Sequence, residues 1–152
     1  NARLTQPMLF SDEELATRDN SIYHSSVLHQ RMGRGTFRVL ITETYQRRCA
    51  MTKDSTLPVL EATYIIPIAK GGQHRIDNGL LLRSDIRRLF ALGYLTVTPE
   101  SHIKVSPSLE AEFGSQPNYR QLQDKEIWLP KEGQLRPKKK FLEWHNDVVF
   151  RG

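Results

Sequence analysis

Between Leu60 and Leu92 the sequence reads LEATYIIPIAKGGQHRIDNGLLLRSDIRRLFAL, and it gathers the side chains best suited to act on a phosphate. Arg83, Arg87 and Arg88 sit in and beside one short helical stretch, and a guanidinium can grip a phosphate through two parallel N–H bonds. Arg87 and Arg88 point to adjacent sectors of that helix, about 100° apart, and Arg83 precedes it. An ordinary solvated basic face accounts for them equally well. Lys70 precedes the Gly71-Gly72 pair and His74 follows it. His74 either touches a substrate or holds its loop by a structural hydrogen bond. Asn78 can brace the loop through its side-chain amide. Asp77 and Asp85 could serve a cation, although turn and helix-start chemistry explains both. Hydrolysis of a phosphodiester needs a base for water, a cation for the developing charge and a held leaving oxygen. The order strand, glycine-bearing loop, strand and short helix can hold a strand-end side chain over a helix face.

The elements that position these residues follow from pattern. Val59–Ile66 is apolar and β-branched enough for a strand ended by Pro67. Gly79–Leu82 is a second, shorter strand. Ser84 suits an N-cap, Asp85 the first helical turn and Gly93 the C-cap. Upstream, Phe37, Leu40, Ile41, Thr44 and Tyr45 recur at helical spacing after the Gly33/Gly35 break. That Gly-x-Gly is no phosphate loop, because no strand precedes it and no Gly-Lys-Ser/Thr follows. Downstream, Tyr94–Thr98 and His102–Ser106 alternate around Pro99-Glu100 and predict a hairpin. Pro107–Phe113 predicts a short helix and Ile127–Leu129 a short strand stopped by Pro130. Lys138-Lys139-Lys140 opens a terminal helix carrying Phe141, Leu142, His145, Val148 and Val149 on its apolar face. His102 and His145 read as structural, and Trp128 and Trp144 as core. Ser11–Asn20, with Ser11 and Glu14 in capping-box spacing, predicts a surface helix. It lies in a polar arm that also holds His24 and His29.

The chain has 152 residues, 38% of them apolar, with a mean hydropathy of −0.52. That length fits one domain with an arm, divided here into an arm or linker over residues 1–32 and a domain over residues 33–152. No apolar run approaches membrane-spanning length. The start, NARLTQPMLF, lacks the zones of a signal peptide and has no initiator Met, so a cytoplasmic fragment of a longer protein is expected. The net charge of +5 and pI near 9.5 agree with a polyanionic partner. The single cysteine, Cys49, excludes an internal disulfide and a multi-cysteine zinc cluster.

Several stretches match a known family in order. They are Arg47-Arg48-Cys49-Ala50-Met51-Thr52, Leu57-Pro58-Val59-Leu60-Glu61-Ala62 and Gly71-Gly72-Gln73-His74. The match continues through Asn78-Gly79-Leu80-Leu81-Leu82-Arg83-Ser84-Asp85-Ile86 and Gly93-Tyr94-Leu95-Thr96-Val97, and the ending Phe141-Leu142-Glu143-Trp144-His145-Asn146 agrees as well. On these the chain resembles HNH endonucleases, in particular a restriction-like subgroup. The resemblance implies an α+β fold, a ββα-metal core with an added β-hairpin and flanking helices. It also implies metal-dependent DNA cleavage, in restriction or phage defence, with magnesium or a similar divalent cation. DNA is the implied partner, with no membrane. A homodimer would supply two sites for double-strand cutting, and an upstream recognition domain would lie outside this chain.

The departures from the family fall on the chemistry. The strand-end histidine that would activate water falls on Tyr64. The helix histidine, usually a metal ligand, falls on Arg87, and the aspartate one turn later falls on Ala91. Of the three naming letters only Asn78 matches. A tyrosine with a pKa near 10 offers on the order of one phenolate per thousand molecules at neutral pH, where a histidine is largely free base. A unit positive charge about 5 Å from a dication costs roughly 7 kcal/mol at an effective dielectric of about 20. The expectation is therefore a nuclease domain that is inactive or severely impaired and binds no metal. The catalytic positions are Tyr64, Asn78 and His74, the lost ligand positions are Arg87 and Ala91, and the phosphate contacts are Lys70, Arg83, Arg87 and Arg88. The alternative is a non-catalytic DNA-binding or protein-interaction module on the same fold. A third reading is an active nuclease that uses Tyr64 with rearranged ligands.

Overall fold

The computed structural model describes residues 32–152. The expected arm, with its helix over Ser11–Asn20 and with His24 and His29, lies outside the described residues apart from Met32. No described helix is long and apolar enough to cross a membrane.

The centre is a two-stranded antiparallel sheet, β1 (Leu60–Tyr64) paired with β2 (Gly79–Arg83). Leu60 faces Arg83 across the ladder, and Tyr64 faces Gly79. Helix α1 (Arg34–Thr44) packs on both strands, as does α2 (Ser84–Leu92). Leu80, Leu81 and Leu82 are wholly buried, which identifies β2 as covered on both faces. Gly79 is where α1 comes closest. A Cβ there would stand 2.5 Å from Ile41 Cδ1 and 2.8 Å from Phe37 Cζ. Phe37 and Ile41, one turn apart on α1, are the side chains that use this space.

The hairpin of β3 (Leu95–Val97) and β4 (Ile103–Val105) extends the core, and β3 packs against both α2 and the terminal helix. Two short helices follow, α3 (Pro107–Phe113) and α4 (Pro117–Arg120), and then the terminal α5 (Lys139–Val148). Gly93 ends α2 in the left-handed region, φ 87°, and a Cβ there would meet Val149 O at 2.2 Å. The observed α+β architecture with its ββα centre, hairpin and flanking helices is the expected one.

Three local expectations are corrected. The first strand is shorter than Val59–Ile66. Leu57–Val59 is a 3₁₀ turn, and beyond Tyr64 the chain leaves the ladder because Asn78 takes over its bonds. Ile65 N–H donates to Asn78 O (2.9 Å), and Ile66 N–H donates to Asn78 Oδ1 (2.9 Å). Second, Ser84 is the first helical residue, and the cap is Arg83, with no side-chain cap bond. Strand β2 runs straight into α2 through the extended backbone of Arg83, leaving no separate capping position. Third, Ile127–Leu129 forms no strand. Asp124 takes φ 67° and bends the chain, so pairing reduces to one bridge, His102 with Glu126. Trp128 N–H turns instead to Ala50 O at 2.9 Å.

Candidate active site

Asn78 is 1% exposed and ends the loop between the strands. Its amide accepts from Ile66 N–H and donates through Nδ2 to Ile66 O (3.0 Å) and Gln73 O (3.0 Å). The loop it closes is tight. Pro67 O accepts from Lys70 N–H and Gly72 N–H, and a Cβ on Gly72 would lie 1.8 Å from Ile66 O. Asp77 is held by Arg75 in a two-point ion pair, both contacts at 2.8 Å, which is structural work rather than that of a ligand.

The brace delivers His74 to Tyr64. The Tyr64 hydroxyl is 2.8 Å from His74 Nδ1 and donates to it when the imidazole proton is on Nε2. The Tyr64 ring stacks on Phe37, centroids 4.0 Å apart and planes within 11°. The Arg34 guanidinium lies 5.2 Å from the same ring's centroid. Burial raises the Tyr64 pKa, and the charges of Arg34 and Arg38 oppose that rise without overcoming it. Phenolate is therefore scarcer here than on a free tyrosine, so Tyr64 serves as a hydroxyl donor at neutral pH.

Tyr64 and Glu61 are three residues apart in β1, so their side chains leave opposite faces of the strand. Tyr64 turns to α1, and Glu61 turns to α2, where Oε1 meets Arg87 Nε in an ion pair. The pair is close, but Arg87 Nε makes no well-aligned hydrogen bond. Ala91, one turn beyond Arg87, presents only a methyl group and is exposed. Both faces open onto one depression of about 330 Å³ around the free edge of β1, lined in part by Arg34, Glu61, Tyr64, Arg87, Ala91 and His145. Among the described residues no three of His, Cys, Asp and Glu converge as a metal-holding group.

The other expected phosphate contacts lie apart. Arg83 lines a separate hollow with Thr52, Lys53 and Lys125. Its guanidinium is committed to Asp85 (2.7 and 3.0 Å) and to Asp54 (3.4 Å). Asp85 also accepts from the Tyr119 hydroxyl, and these bonds hold its pKa at about 2. Arg88 and Lys70 are exposed. Glu61 and Arg34 line this depression and Arg38 lines the one adjoining it, and sequence reasoning singled out none of the three. Arg34 and Arg38 carried a signal, two arginines one turn apart beside an apolar helix face. Glu61 carried half of one, since alternation places it on the face opposite Tyr64.

His145 lines the depression yet is 2% exposed and spent internally. Its ring stacks on Phe90 at 3.8 Å, and its nitrogens lie 2.7 Å from Thr96 Oγ1 (Nδ1) and 3.0 Å from Phe90 O (Nε2). Of the two neutral tautomers, only the one with its proton on Nε2 satisfies both, accepting from the Thr96 hydroxyl and donating to the carbonyl. Burial lowers its pKa to about 4. A base depressed from about 6.5 contributes full stability above the unfolded value and loses it as pH falls toward 4. Urea unfolding is therefore expected to show a loss of at most about 3 kcal/mol between pH 7 and pH 4, over and above carboxylate titration. His145→Gln starts less stable and should show a flatter profile over that window. Asp85, whose pKa is lowered as well, also loses its contribution on acidification, but only below about pH 4.

Residues 49–98 match the family model described as HNH endonuclease. The span runs from Cys49, whose sulfur accepts from Thr52 N–H and Arg83 N–H, through the whole ββα unit to the end of β3. A similar solved structure is a modification dependent TagI restriction endonuclease, with TM-score 0.56 and 13% identity over 78% of this chain. The chain spans 38% of that structure's length, and at that identity the likeness is one of fold. No curated protein matches the sequence.

Proposed function

We propose, because residues 49–98 belong to the HNH endonuclease family, that the chain is a DNA-directed nuclease domain whose catalytic centre is switched off. HNH enzymes generally use a divalent metal. The donors at this site do not fit one. One ligand position presents the Arg87 guanidinium, the next presents the Ala91 methyl, and the nearby carboxylate, Glu61, is already neutralised by Arg87. That ion pair is the observation that carries the reading. Tyr64, at the position of the base, has its pKa pushed further from neutrality by burial. What these residues do is bind and orient: Tyr64 donates to His74, Asn78 holds the loop, and arginines face the solvent-open edge of β1.

The retained role is DNA binding, with target choice assigned to a recognition domain elsewhere in the protein, as befits a restriction-like system in the cytoplasm. The test is nicking of supercoiled plasmid by this chain with magnesium, manganese, nickel or zinc. The expected result is no cutting above the metal-free blank. Robust metal-dependent nicking by the unaltered chain would overturn the reading.

A further inference from the structure

We propose that the free edge of β1 is a track for one DNA backbone, gripped by Arg34 and Arg38 of α1, with Glu61 as an internal competitor that keeps Arg87 off it. The proposal rests on the reading that this domain meets DNA. It places the contacts on residues other than the helix arginines that the sequence singles out.

Two depressions flank β1, about 330 and 360 Å³, and they share Arg34, Glu61, Ala62 and Tyr64. Together they form one groove around the strand edge. Three arginines line it, Arg34, Arg38 and Arg87, and Glu61 is the one carboxylate among the lining residues. Arg34 and Arg38 are exposed, and among the described residues neither has a carboxylate partner. They stand one helical turn apart, roughly 6 Å at their Cβ atoms, and so can take neighbouring phosphates of one strand. Arg34 is already oriented by the Tyr64 ring beneath it. Arg34, Arg38 and Tyr64 line the second of these depressions together, which puts all three groups at one place.

Arg83 and Arg87 are differently placed, because each already holds carboxylates. A phosphate approaching Arg87 must displace Glu61, whereas one approaching Arg34 or Arg38 displaces only water. Glu61 therefore does to Arg87 what a phosphate would do, in advance. Removing its charge adds a third cation to the track.

The test is binding of a fluorescein-labelled duplex, followed by anisotropy over a range of monovalent salt, for the whole chain and its variants. Arg34→Ala and Arg38→Ala are each expected to weaken binding about three- to tenfold. Each should also flatten the plot of log affinity against log salt by about 0.9, the value for one phosphate contact. Arg34→Lys keeps the charge and should keep the slope. Glu61→Gln is expected to tighten binding and steepen the slope by about 0.9, and adding Arg87→Ala should cancel that gain. Arg120→Ala, remote and paired with Glu110, is the control. Firm DNA binding with unchanged slopes for both arginine variants would overturn the track and leave the DNA reading standing. Absence of salt-dependent binding by the unaltered chain would overturn both. Equal competition by polyglutamate at matched charge would reassign the groove to an acidic protein segment and overturn the nucleic-acid assignment.

Discussion

The triple variant Tyr64→His, Arg87→His, Ala91→Asp is expected to nick supercoiled plasmid in a divalent metal at least about a hundredfold faster than the unaltered chain. Each substitution repairs a different deficiency. Replacing Arg87 removes a fixed positive charge and frees Glu61, so the helix face changes from repelling a cation to offering donors. Ala91 is exposed, so an aspartate there meets no packing obstacle. It stands in the last turn of α2, where a negative charge is disfavoured by about 0.3–1 kcal/mol. Replacing Tyr64 forfeits the stack on Phe37 and the bond to His74, a further loss of about 1–2 kcal/mol. The sum is tolerable in a domain with ordinary stability of about 5–15 kcal/mol, and a thermal melt checks it.

Partial variants separate the parts. Tyr64→His alone gains a base with no cation and should remain inactive. Arg87→His with Ala91→Asp should bind manganese by calorimetry and still cut poorly. If the triple variant folds, binds metal and does not cut, the centre lacks more than these three groups.

How far the sequence could lead is clearest at β1. Its existence, its partner strand and the following helix were all legible, because β-branched residues, Asp77-Asn78-Gly79 and the Asp85-to-Gly93 stretch are local signals. Its end was not, because Asn78 reaches back twelve residues to take the N–H of Ile66, and no window on Val59–Ile66 contains that partner. Ile127–Leu129 failed for the same kind of reason. It has strand composition, but whether it ladders depends on a turn at Asp124 and on where Ala50 lies.

The site was legible as a set of positions rather than as a set of contacts. Tyr64, His74 and Asn78 do come together around one loop. The Tyr64 ring stacks on Phe37 of α1 while it also lines the depression that Arg87 and Ala91 of α2 border. Alternation along the strand already implied that Glu61 takes the opposite face. What could not be read was that Glu61 would find Arg87 and that Arg83 would be taken by Asp85 and Asp54. Pairing of surface charges is decided by tertiary distance. The composition supplies 22 basic and 17 acidic side chains from which many pairings could be drawn.

The remaining large effect is on stability. Asn78→Ala is expected to lower the unfolding free energy by about 3–5 kcal/mol, seen as a drop in the urea midpoint. The amide is buried and makes three bonds to backbone, so truncation leaves Ile66 N–H, Ile66 O and Gln73 O without their partner. Each such group costs about 1–3 kcal/mol when left unmade, and the loop relaxes enough to recover part of it. Asn78→Asp is nearly isosteric and still accepts from Ile66 N–H, but it offers no donor to the two carbonyls. It should fall well below the unaltered chain at pH 7. Exchange of the Ile66 amide should rise in both variants more than that of the β1–β2 ladder, because the loop opens before the sheet does. A purely catalytic asparagine would leave the unfolding free energy within about 0.5 kcal/mol of the parent, as surface polar changes do. The same variants should loosen His74 from Tyr64, since the loop that carries His74 is held by Gln73 O on Asn78. Loss of the hydroxyl bond at His74 Nδ1, read from its ring nitrogen shifts, would connect the brace to the site it positions.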